Sequence, residues 1–350
     1  MLREAKLTLI TLARMAGVLE RMHQSEWRRD RLLILCYHGV SLDDEHHWRP
    51  SLYVSPSVFR SRMETLIRYR CNVLPLAEAL NRLSRRDLPP RSVAITFDDG
   101  FYDFVQVVAP ILREYQYPAT VYLTTYYVIN QRPVFPLVCS YVLWKRRSMV
   151  WNTKGAFGLA TTVDLATNRQ RSMATNAILE WSDRHDLSAM DKDCLARSLA
   201  QALGFDYDAL LGRRLLHLMN PQEVADLSRS GSGVSFELHT HRHRTPAAPE
   251  LFTAEIRQNR AIVLEITGVE PSHFCYPSGV HRPELGELLK QEKVLSATTC
   301  EMGLASRGGS PFLLPRLLDH MALTSSEFEA WISGFGSLLA QRATDARMSC

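Results

Sequence analysis

Short apolar runs alternate with helical patterns along most of this chain, which limits it to folds where helical crossovers join parallel strands. The runs read as strands are "LLILCY" (32–37), a short "NVL", "SVAITF" (92–97), "ATVYLTT" (119–125), "VSFEL" (234–238), "HFCY" (273–276), "LSATT" (295–299) and "LLPRLLD" (313–319). Helical patterns between them carry their own start signals: Ser55 before Pro56, Asn220 before Pro221, and Thr324 with Glu327 spaced as a capping box. Pro110 is expected to bend the helix after "SVAITF". The rhythm lapses over 126–220, where the pattern is mostly helical, so this segment reads as a helical insertion between two βα units.

Polar residues gather where the predicted strands end. Asp98 and Asp99 close "SVAITF", His239 and His243 follow "VSFEL", "YPSG" follows "HFC", His320 follows "LLPRLLD", and His38 follows "LLILCY". In barrels of parallel strands the βα loops converge at that end and form the active-site face. Two adjacent carboxylates repel unless a cation, a proton or water compensates them. The pair His239 and His243 falls on one side of a helical turn, and two neutral imidazoles with a carboxylate suit a divalent cation. One acid can then ligate while its neighbour takes a proton. His241 points away from such a site, and His38 reads as a packing or hydrogen-bonding residue at the barrel mouth.

Bulk properties narrow the field. The composition, 46% hydrophobic and 22% charged, is that of a globular protein. The formal charge of +4 is spread out and no nucleic-acid-binding signature occurs, so no nucleic-acid partner is expected. Seven cysteines without a C-x-x-C pair support neither a zinc knuckle nor a dense disulfide framework, and a reducing compartment is favoured. The N-terminal 1–30 starts basic and turns apolar, but Arg14 interrupts the run and no cleavage site follows. It reads as an amphipathic helix with Leu2, Ala5, Leu9, Leu12, Ala16 and Leu19 near one face. That face either packs on the protein or a partner, or lies on a membrane surface. A cytoplasmic location with peripheral membrane contact is the matching expectation.

At these residues the chain resembles the polysaccharide deacetylases of the carbohydrate esterase family 4 type, the NodB homology domain. "TFDDG" (96–100) is similar to the family's first motif, "HTHRH" (239–243) to its second, "FCYPSG" (274–279) to its third, and "ILCYHGVS" to the start of many bacterial members. The resemblance covers roughly 30–125 and 220–335. It implies a distorted (β/α) barrel with about seven parallel strands over 31–125 and 221–335, the insertion 126–220, and a C-terminal tail 336–350. It also implies hydrolysis of N-acetyl groups on an amino-sugar glycan with a divalent cation, zinc first among the candidates; the aromatic and basic residues of the insertion extend the expected substrates to lipid-linked ones. By position, Asp98 would be the general base and Asp99, His239 and His243 the metal ligands, with metal-bound water as nucleophile. The backbone N–H of Tyr276, in the Pro277–Gly279 turn region, would face the oxyanion. His320 would protonate the leaving amine.

The chain departs from the family at Cys275, which stands where many members carry an Arg that orients the base. Arg316, on the same strand face as His320, is a candidate replacement, against a rim salt bridge as the alternative. Nothing clearly matches the fourth motif, and "TTCEMG" occupies that place. Two other functions stay open: another amide hydrolase on the same barrel, of deformylase or imidase type, and a catalytically weak glycan-binding homologue. The insertion is expected to lie over the loop end of the barrel, with Tyr126, Tyr127, Phe135, Tyr141 and Trp144 either facing substrate or forming the insertion's own core.

Overall fold

The computed structural model describes residues 2–340 and comprises two compact units, Met1–Tyr126 with Pro221–Cys350, and Tyr127–Asn220. The first unit is a closed barrel of seven parallel strands: β1 (Arg31–Tyr37), β2 (Ser92–Asp99), β3 (Ala119–Leu123), β4 (Val234–Leu238), β5 (His273–Cys275), β6 (Ser296–Met302) and β7 (Leu314–Leu318). Neighbours in this order pair in parallel, and β1 closes the ring by pairing with both β2 and β7. The short strand Asn72–Val73 flanks β2, and Ala305–Ser306 runs antiparallel to the start of β1.

Strand parity sorts the side chains. Leu32 and Ile34 of β1, Ala94 of β2, Tyr122 of β3, Cys275 of β5 and Leu314 of β7 pack in one cluster inside the ring. Cys36, Asp98 and Arg316 continue the same parities toward the C-terminal ends of their strands. The polar layer therefore sits directly on top of an apolar plug.

The caps are those the sequence signals. Ser55 accepts from Val58 N at the start of Pro56–Arg68, and Thr324 with Glu327 completes a capping box at Ser325–Ser333. The helix after β2 opens with a π turn, Phe104–Val108, before Ala109–Tyr115, so the disturbance associated with Pro110 falls one turn ahead of it.

The N-terminal segment differs from its sequence reading. It is not one helix but α1 (Leu2–Met15) and α2 (Val18–His23), broken at Gly17 with φ 69, followed by the turn Glu26–Arg29. The face that docks is Ile10 and Ala13, which cluster with Leu19, Ala330, Phe335 and Leu339. Ala5, Leu9, Leu12 and Ala16 point outward. The cations decide which face turns in: Arg3 donates to Ala322 O (2.6 Å), Lys6 pairs with Glu327 (3.3 Å) and Arg14 with Glu329 (3.1 Å). No described helix is long and apolar enough to cross a membrane. Of the segment read as a tail, Phe335–Leu339 is a short helix, and 341–350 lie outside the described residues.

The second unit is helical, with one antiparallel hairpin, Val150–Asn152 against Thr162–Asp164, that the helical pattern did not indicate. Phe135 and Tyr141 are buried, and Tyr141 stacks on Trp144 at 5.8 Å, so these aromatics serve this unit's own core.

Candidate active site

Asp98 and Asp99 reach one place although strand alternation should send neighbours to opposite faces. The reason is local: β2 ends at Asp99, whose φ of 69 turns the backbone left-handed, and Gly100 continues at φ 88. Asp tolerates that region better than most residues. Asp99 O accepts from Thr124 N (3.1 Å), which ties the bend to the end of β3.

After β4 the chain bends the same way twice, at Thr240 (φ 62) and His243 (φ 51). Thr240 Oγ1 accepts from Arg244 N (3.1 Å), and Glu255 accepts from Arg242 N, Arg242 Nη1 and Arg244 Nε, holding the loop to the helix Pro249–Thr267. These bends carry His239 and His243 to the same carboxylate oxygen: Asp99 Oδ1 lies 3.4 Å from His239 Nε2 and 3.3 Å from His243 Nε2. Left-handed non-glycine residues gathered at one site mark backbone held against its preference by its surroundings.

The second ring nitrogen of His239 is already committed. Its Nδ1 donates to Cys275 O (2.8 Å), which turns Nε2 toward Asp99. Asn259 holds this corner from behind: Oδ1 accepts from His239 N (2.9 Å), while Nδ2 donates to Leu123 O (2.9 Å) and Thr125 Oγ1 (3.0 Å). Thr125 Oγ1 in turn meets His241 Nδ1 (2.9 Å), so His241 braces the loop and does not join the cluster. Nothing in the sequence pattern singled out Asn259, a polar residue within an otherwise ordinary amphipathic helix.

Asp98 lies deeper. Both its oxygens are engaged by Arg316, Nη1 to Oδ1 at 2.7 Å and Nη2 to Oδ2 at 2.8 Å. Arg316 also donates to Thr299 O (3.0 Å) and Thr96 Oγ1 (3.3 Å). Burial favours the protonated acid, but the charge and hydrogen bonds of Arg316 outweigh it and hold Asp98 well below the usual carboxylate range. Cys275 and Cys36 face Oδ2 at 3.4 and 3.6 Å, and burial pushes both thiols up, so they remain S–H donors. Arg316 is thus an interior residue and not a rim salt bridge.

His38, read from sequence as a packing or hydrogen-bonding residue at the barrel mouth, stands beside Asp98. Its Nε2 is 3.8 Å from Asp98 Oδ2. It stands one residue past the end of β1. The next residue, Gly39, has no room for a side chain: a Cβ there would lie 2.2 Å from the Tyr53 ring and 2.9 Å from Asp103 Oδ2. Val40 N donates to Asp103 Oδ1 (3.1 Å), completing a clamp on the turn that presents His38. Burial lowers the pKa of His38 ahead of the opposing pull of Asp98 and Asp99, so the ring rests neutral.

Two sequence expectations are corrected here. His320 is not brought to the cluster: its Nδ1 accepts from Ala322 N (3.2 Å), and the charges around it are Asp319, Glu327, Arg3 and Arg62. β7 ends at Leu318, so parity counted from Arg316 no longer governs residue 320. The Tyr276 N–H is not a free oxyanion donor, because it donates to Thr298 O (3.2 Å) within the sheet. Pro277 and Gly279 form the turn after β5, where Gly279 (φ 65) presses on Cys300, whose Sγ would lie 2.9 Å from a Cβ.

Two groups among the described residues could hold a cation, Asp99–His239–His243 and Asp98–His239–Cys275. The first fits better. Asp99 and His243 are partly open to solvent, which leaves coordination positions for water and substrate. In the second, Arg316 already occupies both oxygens of Asp98 and also donates to Cys275 Sγ (3.1 Å). Burial opposes ionisation of Asp99, but His243 and His239 bring its pKa to about 2, so it is an anionic ligand at neutral pH.

No match to this chain is found among the curated proteins. Three solved structures share the fold: the deacetylase PplD of Streptococcus pyogenes, in complex with acetate (18% identity, TM-score 0.57, covering 87% of this chain and 98% of that one); IcaB from Ammonifex degensii (17%, 0.56, 87% and 97%); and a de-N-acetylase from Aggregatibacter actinomycetemcomitans (14%, 0.54, 85% and 97%). The sequence profile of the polysaccharide deacetylases matches residues 85–148 and 172–295, more than half of the chain. A hydrolase barrel with this profile is identified by it: the chain belongs to the polysaccharide deacetylase family, whose members cleave the carbon–nitrogen bond of N-acetylated sugars.

Proposed function

We propose that this chain removes N-acetyl groups from an amino-sugar glycan, with Asp99, His239 and His243 as the ligands of a divalent cation and Asp98 as the base. The observation that carries the reading is the shared focus of His239 and His243 on Asp99 Oδ1, at 3.4 and 3.3 Å, beside an Asp98 kept anionic by Arg316. A cation at that focus, zinc being well suited to two imidazoles and a carboxylate, supplies Lewis-acid activation of a water and of the acetyl carbonyl. A carboxylate as acidic as Asp98 accepts a proton readily only from a donor activated in this way.

The chain's own residues supply the rest. Arg316 fixes both oxygens of Asp98, so the base has one orientation. Asp98 takes the proton of the attacking water. His38, neutral and 3.8 Å from Oδ2, receives that proton and delivers it to the departing amine nitrogen. The plug of Tyr122, Cys275, Ile34 and Leu32 beneath keeps bulk water from the rear of the site.

The test is acetate release from N-acetylated oligosaccharides and lipid-linked amino sugars, with metal content measured on the same protein before and after chelation. Metal bound in the wild type but absent from His243→Ala, with acetate released only by the loaded protein, supports the reading. Release of formate, or opening of a cyclic imide, with no acetate would select the other amide hydrolases.

A further inference from the structure

We propose that the outward face of α1, continued by Val18 of α2, docks on the surface of an anionic lipid bilayer. The inference does not depend on the deacetylase reading. Ala5, Leu9, Leu12, Met15, Ala16 and Val18 are all exposed and uncharged, with Leu12 57% and Met15 81% open to solvent. An apolar strip of this kind on a surface helix needs a cover. The helix that carries it is not a fraying end, because its other face is buried through Ile10 and Ala13 and pinned by Arg3, Lys6 and Arg14.

The charges around the strip select the cover. Glu327 and Glu329, which pair with these cations, have side chains only 6% and 5% exposed. Their partners reach solvent: Arg14 is 56% exposed, and Arg68, which shares Glu329 at 2.7 Å, is 61% exposed. The acids lie beneath and the cations form the rim, while Glu4 and Glu20 are the acids exposed on the two helices. An apolar strip edged by long cationic side chains matches a bilayer surface, where leucine and methionine enter the acyl boundary and Arg or Lys reaches lipid phosphates. In a two-fold pair of copies the same cationic rim would meet itself. With a helix of 14 residues the contact lies in the interface and does not cross it.

The experiment is vesicle flotation of the full chain with phosphatidylglycerol–phosphatidylcholine vesicles and with phosphatidylcholine alone. The wild type should float with the anionic vesicles, more weakly as salt is raised. Leu12→Glu combined with Met15→Glu should reduce that binding about tenfold or more, with acetate release from a soluble oligosaccharide unchanged. As a second readout, the indole introduced by Leu12→Trp should shift its emission to the blue on addition of anionic vesicles, measured as the difference from the wild type. Absence of flotation, equal flotation of the double variant, or an emission difference that the vesicles leave unchanged overturns the proposal. So does a dimer in solution that the double variant splits, since it would assign the face to a second copy. Loss of soluble-substrate turnover in the wild type would instead count against the deacetylase reading alone.

Discussion

Arg316 and Asp98 face each other across the inside of the barrel and make a two-pronged ion pair, 2.7 and 2.8 Å, with neither side chain reaching bulk solvent. A pair in that position is costly to break, because either partner left alone is an unpaired buried charge. It also decides the protonation state of Asp98, for burial alone would neutralise it.

Replacing Arg316 by Met should therefore destabilise the fold by about 3–5 kcal/mol. It should also raise the pKa of Asp98, since the burial that favours the acid is then unopposed by the guanidinium. Activity measured against pH should show its acid limb displaced upward. Arg316→Lys keeps the charge but not the fork and should fall between. An acid limb that stays in place in both variants would show that Asp98 does not control it.

Asp98→Asn should retain metal close to the wild-type level and lose turnover by about 10²–10⁴. His239→Ala should lose both, as it removes a ligand and frees Cys275 O. Metal analysis alongside acetate release separates the two. Loss of metal in the Asp98 variant would favour the deeper group, Asp98–His239–Cys275, as the true site.

His38 and His320 offer a direct contrast. His38→Gln should lower kcat by about 10²-fold or more if it delivers the proton, whereas His320→Gln should stay near wild type. A substrate whose leaving amine needs no proton would rescue the His38 variant and leave an Asp98 variant impaired. The reverse ranking of the two histidines would restore His320 as the acid.

Glu237, on β4, gives a pH test of stability. Burial raises its pKa to about 7, although it accepts from Ser272 N and His273 N, both at 2.7 Å. The folded state holds this proton more tightly than the unfolded one. Its contribution is thus full below the unfolded value of 4.5 and is lost as pH rises through about 7. The swing is on the order of 3 kcal/mol. Melting temperatures of wild type and Glu237→Gln, taken between pH 5 and 8, should converge at low pH and part at high pH, with the variant flatter.

All seven barrel strands and the Asp98, Asp99, His239 and His243 positions were legible because each strand is an apolar run and each group stands where a run ends. His38 stood at such an end as well, but a single histidine there has no partner in sequence; only the closing of β1 against β2 gives it Asp98. His320 also ends an apolar run, but β7 stops at Leu318 and the turn beyond it engages the ring through Ala322 N, which the run of sequence does not reveal. Arg316 could be placed on its strand, yet which strand it faces across a closed ring is not a property of its neighbours. Which face of α1 turns toward the protein was not legible for a different reason. Apolar residues occupy both sides of that helix, and the acids Glu327 and Glu329 that draw its cations inward are more than 300 residues away in sequence.

The parallel register of β3 with β4, Ala119 to Leu123 beside Val234 to Leu238, has a consequence for how this architecture can change over time. The segment Tyr127–Asn220 leaves after β3 and rejoins ahead of the helix Pro221–Arg229 that leads into β4; the two strands are zipped together without it, and Asn259 fastens their ends. Lengthening or exchanging what lies between adds a closure entropy that grows only with the logarithm of length. The crossover is a splice point: descendants of this chain can trade the segment for another while inheriting the histidine loop unaltered.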